Sequence, residues 1–205
     1  MAFTGFTEKD FEVFAVEGLE PRMKALIATV RPKLEALGEM FAPRLTAITG
    51  EDMYAHVAKH ARRTVHPPDN TWVAFSSDKR GYKKHPHFQI GLWRTHVFVW
   101  FAVIDEAVNK AACARALAER EAEIRVIIPP SFVWSTDHTR PETVKQLDAE
   151  MIERLGKVKK AELLCGVTIP KEEAVRRTDL IETFEQTFNT LAPLYEWTTR
   201  AAVLR

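Results

Sequence analysis

The sequence predicts an α+β fold, with helices packed on a mainly antiparallel sheet of about five strands and residues 1–205 forming one domain. Three observations carry this. Helical patterns open and close the chain, and between them short runs rich in β-branched and aromatic residues mix with further helical stretches. No strict strand–helix–strand rhythm links the two. A composition of 46% hydrophobic and 28% charged residues is that of a folded domain and excludes a disordered chain.

The first helix start is read at Phe6-Thr7-Glu8-Lys9-Asp10, where Thr7 caps, Asp10 suits the positive first turn and Phe6 staples against Phe11. A second helical stretch begins near Glu20, with Pro21 at a first-turn position and Met23, Leu26, Ile27 and Val30 on one stripe. Pro32 and Pro43 mark breaks, which gives two or three helices ending at Thr49-Gly50. If residues 51–63 form one more helix, Met53, Tyr54, Val57, Ala58 and Ala61 share an inward face. The runs 71–76, 87–93 and 96–104 are strands. In the second of these, Phe88, Ile90 and Leu92 point one way, and His87, Gln89, Gly91 and Trp93 the other. Only Arg94 and Thr95 separate it from the third, so the two form a hairpin. The third is apolar on both faces, as a central strand covered on both sides would be. Helices are expected over 105–125, 141–158 and 170–203, the last bent at Pro193, with further strands at 131–136 and 160–169.

Cys113 and Cys165, 52 positions apart and without CxxC spacing, read as buried thiols of a reducing compartment. The N-terminus lacks a basic segment followed by an apolar one, and the longest apolar run, Val97–Ile104, has eight residues against the roughly 20 that span a bilayer. A cytoplasmic protein with no membrane partner is therefore expected.

Charge is unevenly spread. The chain carries a formal +1, yet His56–Trp93 holds seven Lys and Arg against two Asp, together with five of the seven histidines. That window is +5 and the remainder −4. Such segregation bears on partners rather than fold. On a 51–63 helix, His56, Lys59, His60 and Arg63 share one stripe. Set beside the 76–84 loop, that stripe would form a positive hollow. The expected anion-binding residues are Lys59, His60, Arg62, Arg63, Lys79, Arg80 and Lys83, because Arg grips phosphate or carboxylate bidentately and Lys supplies point charge. The expected partner is a nucleic acid or a phosphorylated small molecule. Trp72, Tyr82, Phe88 and Trp93 lie among the cations where stacked bases would need them.

Other chemistries find less support. His56 and His60 have the i, i+4 spacing of zinc helices, but Val57 stands where a metalloprotease places its glutamate, and Lys59 and Arg63 would repel a cation. No metal and no cofactor are expected. GxSxG, Walker and GxGxxG motifs are absent. The alternative reading is an enzyme of hydrolase type, with His56, His60, His87 or His138 as acid–base groups and arginine clamps. "WSTDHTRP" (134–141) places Asp137, His138 and Arg140 beyond a strand end, and reads first as a turn leading to a helix cap.

Long contiguous strings, "VRPKLEALGEMFAPRLTAITG" (30–50), "HVAKHARRTVHPP" (56–68), "WVAFSSDKRGYKKHPHFQIGLW" (72–93), "THVFVWFAVI" (95–104), "FVWSTDHT" (132–139) and "KKAELLCG" (159–166), resemble the YktB family of small bacterial proteins from Bacillus-like lineages. The resemblance implies a compact cytoplasmic α+β protein. It brings no catalytic residues, so none is carried over.

Overall fold

A computed structural model describes residues 3–203. Helix α1 (Glu8–Glu12) opens the chain, and the Asp10 carboxylate accepts from the Thr7 amide at 2.6 Å and its hydroxyl at 2.9 Å. The Phe6 and Phe11 rings meet edge to face at 6.3 Å, the expected staple. Helices α2 (Leu19–Thr29) and α3 (Arg31–Thr49) follow. The break between them lies at Val30, and α3 runs on through Pro43. Proline removes one backbone bond there, while Leu34, Leu37, Phe41 and Leu45 of the same helix are fully buried and hold it against the sheet.

The sheet has six strands: β1 (Tyr54–Val57), β2 (Asn70–Ser76), β3 (His87–Trp93), β4 (His96–Val103), β5 (Val133–Ser135) and β6 (Leu163–Pro170). Their order is β1-β2-β3-β4-β6-β5 and all pairs are antiparallel. The α+β class stands, with one strand more than expected. The addition is β1, which replaces the N-terminal part of the expected 51–63 helix. Residues 58–69 are an irregular loop, and His60 has φ +52°, a left-handed conformation no helix interior accepts. The buried Arg22 pins this loop by donating to the Pro68 carbonyl and the Asp69 carboxylate. Between 105 and 127 the chain forms two helices, α4 (Lys110–Ala118) and α5 (Glu121–Ile127). α6 spans only Ala149–Lys157, capped by Asp148, because Val144 instead bridges to Trp134 beside the sheet. α7 (Lys171–Ala174) and α8 (Leu180–Val203) complete the chain. Among the described residues no helix is long and apolar enough to cross a membrane.

The helices cover one face of the sheet. Phe88 of β3 meets Phe188 at 5.3 Å and stacks on Tyr195 at 5.0 Å, both from α8. No helical residue joins the smaller cluster on the opposite face, where Trp93, Phe98, Trp100, Ala102, Ile104 and Leu164 pack with Trp72, Tyr82 and Val133. Two glycines make room for those rings. A Cβ on Gly91 would stand 2.2 Å from the Phe98 ring, and one on Gly166 only 1.8 Å from the Val99 carbonyl oxygen and 3.0 Å from Trp100. β4 is thus covered on both sides, as its sequence predicts. Gly166→Ala, which forces a methyl against backbone in a central strand pair, is expected to lower stability by about 3 kcal/mol, the upper part of the overpacking range. A urea midpoint within error of wild type would show that β6 gives way freely.

Candidate functional site

β1 is an edge strand, and a groove of about 870 Å³ follows its open side. One wall is the start of α3, with Arg31 and Glu35. The floor is Ala55, His56 and Val57, and the far wall is the 78–85 loop. α3 approaches β1 closely because Gly38 lacks a Cβ, which would lie 2.9 Å from that of Ala55. The loop is tied to the strand by His56, whose Nε2 pairs with the Asp78 carbonyl at 3.0 Å. It is shaped by bonds from the Gly81 amide to the Asp78 carbonyl and from the Arg80 amide to the Asp78 carboxylate.

Five Lys and Arg line the groove against two carboxylates. Arg80 lies 3.8 Å from Asp78, and Lys83 bonds Glu106 at 2.8 Å. Arg31, Lys59 and Lys84 form no ion pair among the described residues. Of the residues expected from sequence, Lys59, Arg80 and Lys83 come together here. The other four do not line the groove. His60 turns to Thr71, its Nε2 3.1 Å from the hydroxyl, and burial pushes its pKa to about 4, helped by the charges of Arg63 and Arg31. Arg62 faces Glu106 at 3.7 Å, Arg63 donates to the carbonyls of His66 and Pro67, and Lys79 points to solvent. The helical stripe that was to join His56, Lys59, His60 and Arg63 does not exist, because a strand and an irregular loop replace the helix. Arg31 escaped the sequence argument: it lies 25 positions before the charged window, and only the packing of α3 on β1 brings it there. Lys84 sat within the window and went unchosen.

The aromatic expectation is corrected in part. Phe88 is fully buried under the helices, and Trp93 packs in the second cluster, so neither can stack a base. Trp72 and Tyr82 are half-buried and bonded to each other, indole N–H to phenol oxygen at 3.1 Å. Burial pushes the Tyr82 hydroxyl up to about 12.

The histidines take separate structural roles. His87 is wholly buried, donating from Nδ1 to the His85 carbonyl and accepting at Nε2 from Gln89, both at 2.8 Å. Those partners set its tautomer, and burial pushes its pKa down to about 3. Burial also lowers His56. His138 differs. Its Nδ1 meets both Glu162 oxygens at 2.7 and 2.8 Å, and the same carboxylate accepts from the backbone amides of His138 and Asp105. Burial alone would depress its pKa, but the bond to Glu162 and the neighbouring carboxylates outweigh it and the value is raised. The Nε2 has no hydrogen bond among the described residues and is not sealed from solvent. Asp137, His138 and Glu162 set possible ligand atoms within 4.8 Å of one another. Glu162 already accepts from three N–H groups, the amides of Asp105 and His138 and the His138 ring. The 135–140 segment is the expected turn, Asp137 accepting from the Thr139 amide and hydroxyl. Cys113 and Cys165 are free and buried.

A one-sided helical layer on a six-stranded antiparallel sheet, with a groove lined by five Lys and Arg along its first edge, defines an α+β protein. The profile of a domain of unknown function, DUF1054, matches residues 6–195. A UPF0637 protein of Bacillus velezensis is 51% identical, covering 96% of this chain and 98% of the relative. One of Bacillus licheniformis is 48% identical over 99% and 100%, and one of Bacillus mycoides 51% over 95% and 98%. The chain belongs to this DUF1054, or UPF0637, family, the small Bacillus family its long strings resemble.

Proposed function

We propose that this is a cytoplasmic anion-binding protein whose site is the groove between α3, β1 and the 78–85 loop. The observation that carries the reading is the trio Arg31, Lys59 and Lys84, supplied by three separate segments to one hollow without carboxylate partners among the described residues. Cations of one sign around a cleft raise the local concentration of anions, and the volume suits a ligand of ordinary size. Arg80 and Lys83 add charge once a ligand competes with Asp78 and Glu106.

A nucleic acid and a phosphorylated small molecule are the two ligand chemistries raised by the charge pattern, and salt separates them. Single-stranded nucleic acid loses affinity with a log–log slope of about 0.7 per phosphate neutralised. Fluorescence anisotropy at low salt with a labelled oligonucleotide, labelled polyglutamate and tripolyphosphate as competitor is the test. The Lys59→Glu/Lys84→Glu variant is expected to bind the tightest of them at least tenfold more weakly, about 1.4 kcal/mol. Unchanged affinity in that variant, or no bound anion at low salt, removes the groove reading. Acid–base chemistry at His138 is a second reading, favoured by its carboxylate-held ring and open Nε2.

A further inference from the structure

The floor of the groove is main chain, and its phase is defined. The Ala58 amide bonds the Trp72 carbonyl at 2.9 Å, and β1 pairs with β2 in unbroken register from Tyr54↔Ser76 to Val57↔Val73. Hydrogen-bonded pairs alternate along an antiparallel ladder, so residues 54, 56 and 58 face β2. The N–H and C=O groups of Ala55 and Val57 therefore point outward, and both residues line the groove. Ala55 is exposed and Val57 partly so. No other strand or side chain takes up these groups among the described residues.

We propose that the ligand of this groove is an acidic peptide segment that adds to β1 as a seventh strand, a deepening that rests on the anion-binding reading above. The reason lies in donor and acceptor chemistry. Phosphate oxygens accept only, so phosphate groups can satisfy the two outward amides but leave the two outward carbonyls without a donor. An extended peptide offers both kinds of group in the same alternation and completes all four. Charge decides which peptide. Arg31 flanks one face of the added strand, and Arg80 and Lys84 the other, with Lys59 at its end. A second copy of this chain, pairing edge to edge, would set these cations against their equivalents, which disfavours that occupant. Because β-strand side chains alternate, acidic residues at every second position meet the 78–85 loop together.

The test uses the full chain and a fluorescein-labelled heptapeptide alternating Glu and Val. It is expected to bind, and a permuted peptide of the same composition to bind at least fivefold more weakly. N-methylation of the two amides that face β1, which leaves every side chain unchanged, should weaken binding at least tenfold. Val57→Pro removes one outward N–H at a position where edge strands tolerate proline; with its melting curve checked, it should show a similar loss. If N-methylated and unmodified peptides bind alike, strand addition is overturned. If tripolyphosphate or the oligonucleotide binds and the peptide does not, strand addition fails while the anion reading stands. If an alternating Lys and Val peptide binds as tightly, the acidic specificity and the anion reading both fall. A dimer in sedimentation that the peptide does not dissociate would assign the edge to a second copy and also overturn the proposal.

Discussion

Acidification from pH 7 to pH 4 is expected to remove several kcal/mol of stability, with His87 the largest single contributor. Its ring is fully buried, its Nδ1–H is committed to the His85 carbonyl, and its Nε2 accepts from Gln89. A proton on Nε2 would set two donors against each other inside the sheet. Burial, only partly offset by the His85 carbonyl, pushes the folded pKa to about 3, against 6.5 when unfolded. The unfolded chain thus binds the proton more readily, so stability is fully present above about pH 6.5 and is lost as the pH falls toward the folded value. At pH 4 the loss from this group is roughly 3 kcal/mol, taking 1.36 kcal/mol per pH interval of one. His60 and His96, each pushed to about 4 by burial, add smaller shares. His96 also holds a buried Nε2 without a hydrogen-bond partner among the described residues. His87→Asn keeps a donor for the His85 carbonyl and removes the titration. Urea midpoints measured from pH 7 to pH 4 should fall by about a third less in this variant. An identical pH profile in wild type and variant would assign the acid sensitivity elsewhere.

Removing the Glu162 carboxylate is the second large effect. Glu162→Ala leaves the backbone amides of Asp105 and His138 without their acceptor and the imidazole without its counter-charge. Breaking a buried pair from one side costs about 3–5 kcal/mol, and the lower figure applies because His138 keeps 22% of its side chain in water. The sign with pH is opposite to that of His87. The folded pKa of His138 is raised, so its stabilisation is fully present below about pH 6.5 and is lost as pH rises through the folded value. The penalty of Glu162→Ala is accordingly largest at mildly acid pH. Glu162→Gln retains an acceptor oxygen and loses the charge, so the His138 resonances should titrate lower than in wild type, since burial remains and its largest counterweight is gone while Asp137 and Asp105 stay. A His138 titration unmoved by Glu162→Gln would show that the pair does not govern this ring.

Much of the fold could be read from local pattern. Alternation in 87–93 assigned each side chain to its correct face, and the Phe6, Thr7 and Asp10 signals located the first helix. Errors fell where tertiary contacts override local preference. Residues 54–57 form a strand because β2 offers an unpaired edge, and four residues carry too little pattern to announce it. Residues 141–148 leave the expected helix because Val144 finds a backbone partner in Trp134. The site was half legible. Charge segregation pointed to the 78–85 loop, yet the geometry assumed for 51–63 chose His60, Arg62 and Arg63, which turn to Thr71, to Glu106 and to the carbonyls of their own loop, and passed over Arg31.

By itself the sequence determined the α+β class, the faces of the central strands, the family and the concentration of positive charge between 56 and 93. These are properties of short windows, where periodicity and composition act within a few residues. The tertiary structure alone decided which cations share a hollow, that the hollow runs along an unpaired strand edge, and that His138 rests on a carboxylate 24 positions away. Those outcomes depend on contacts between distant segments, whose free energy comes from burying the helical layer on the sheet and leaves no local period in the chain.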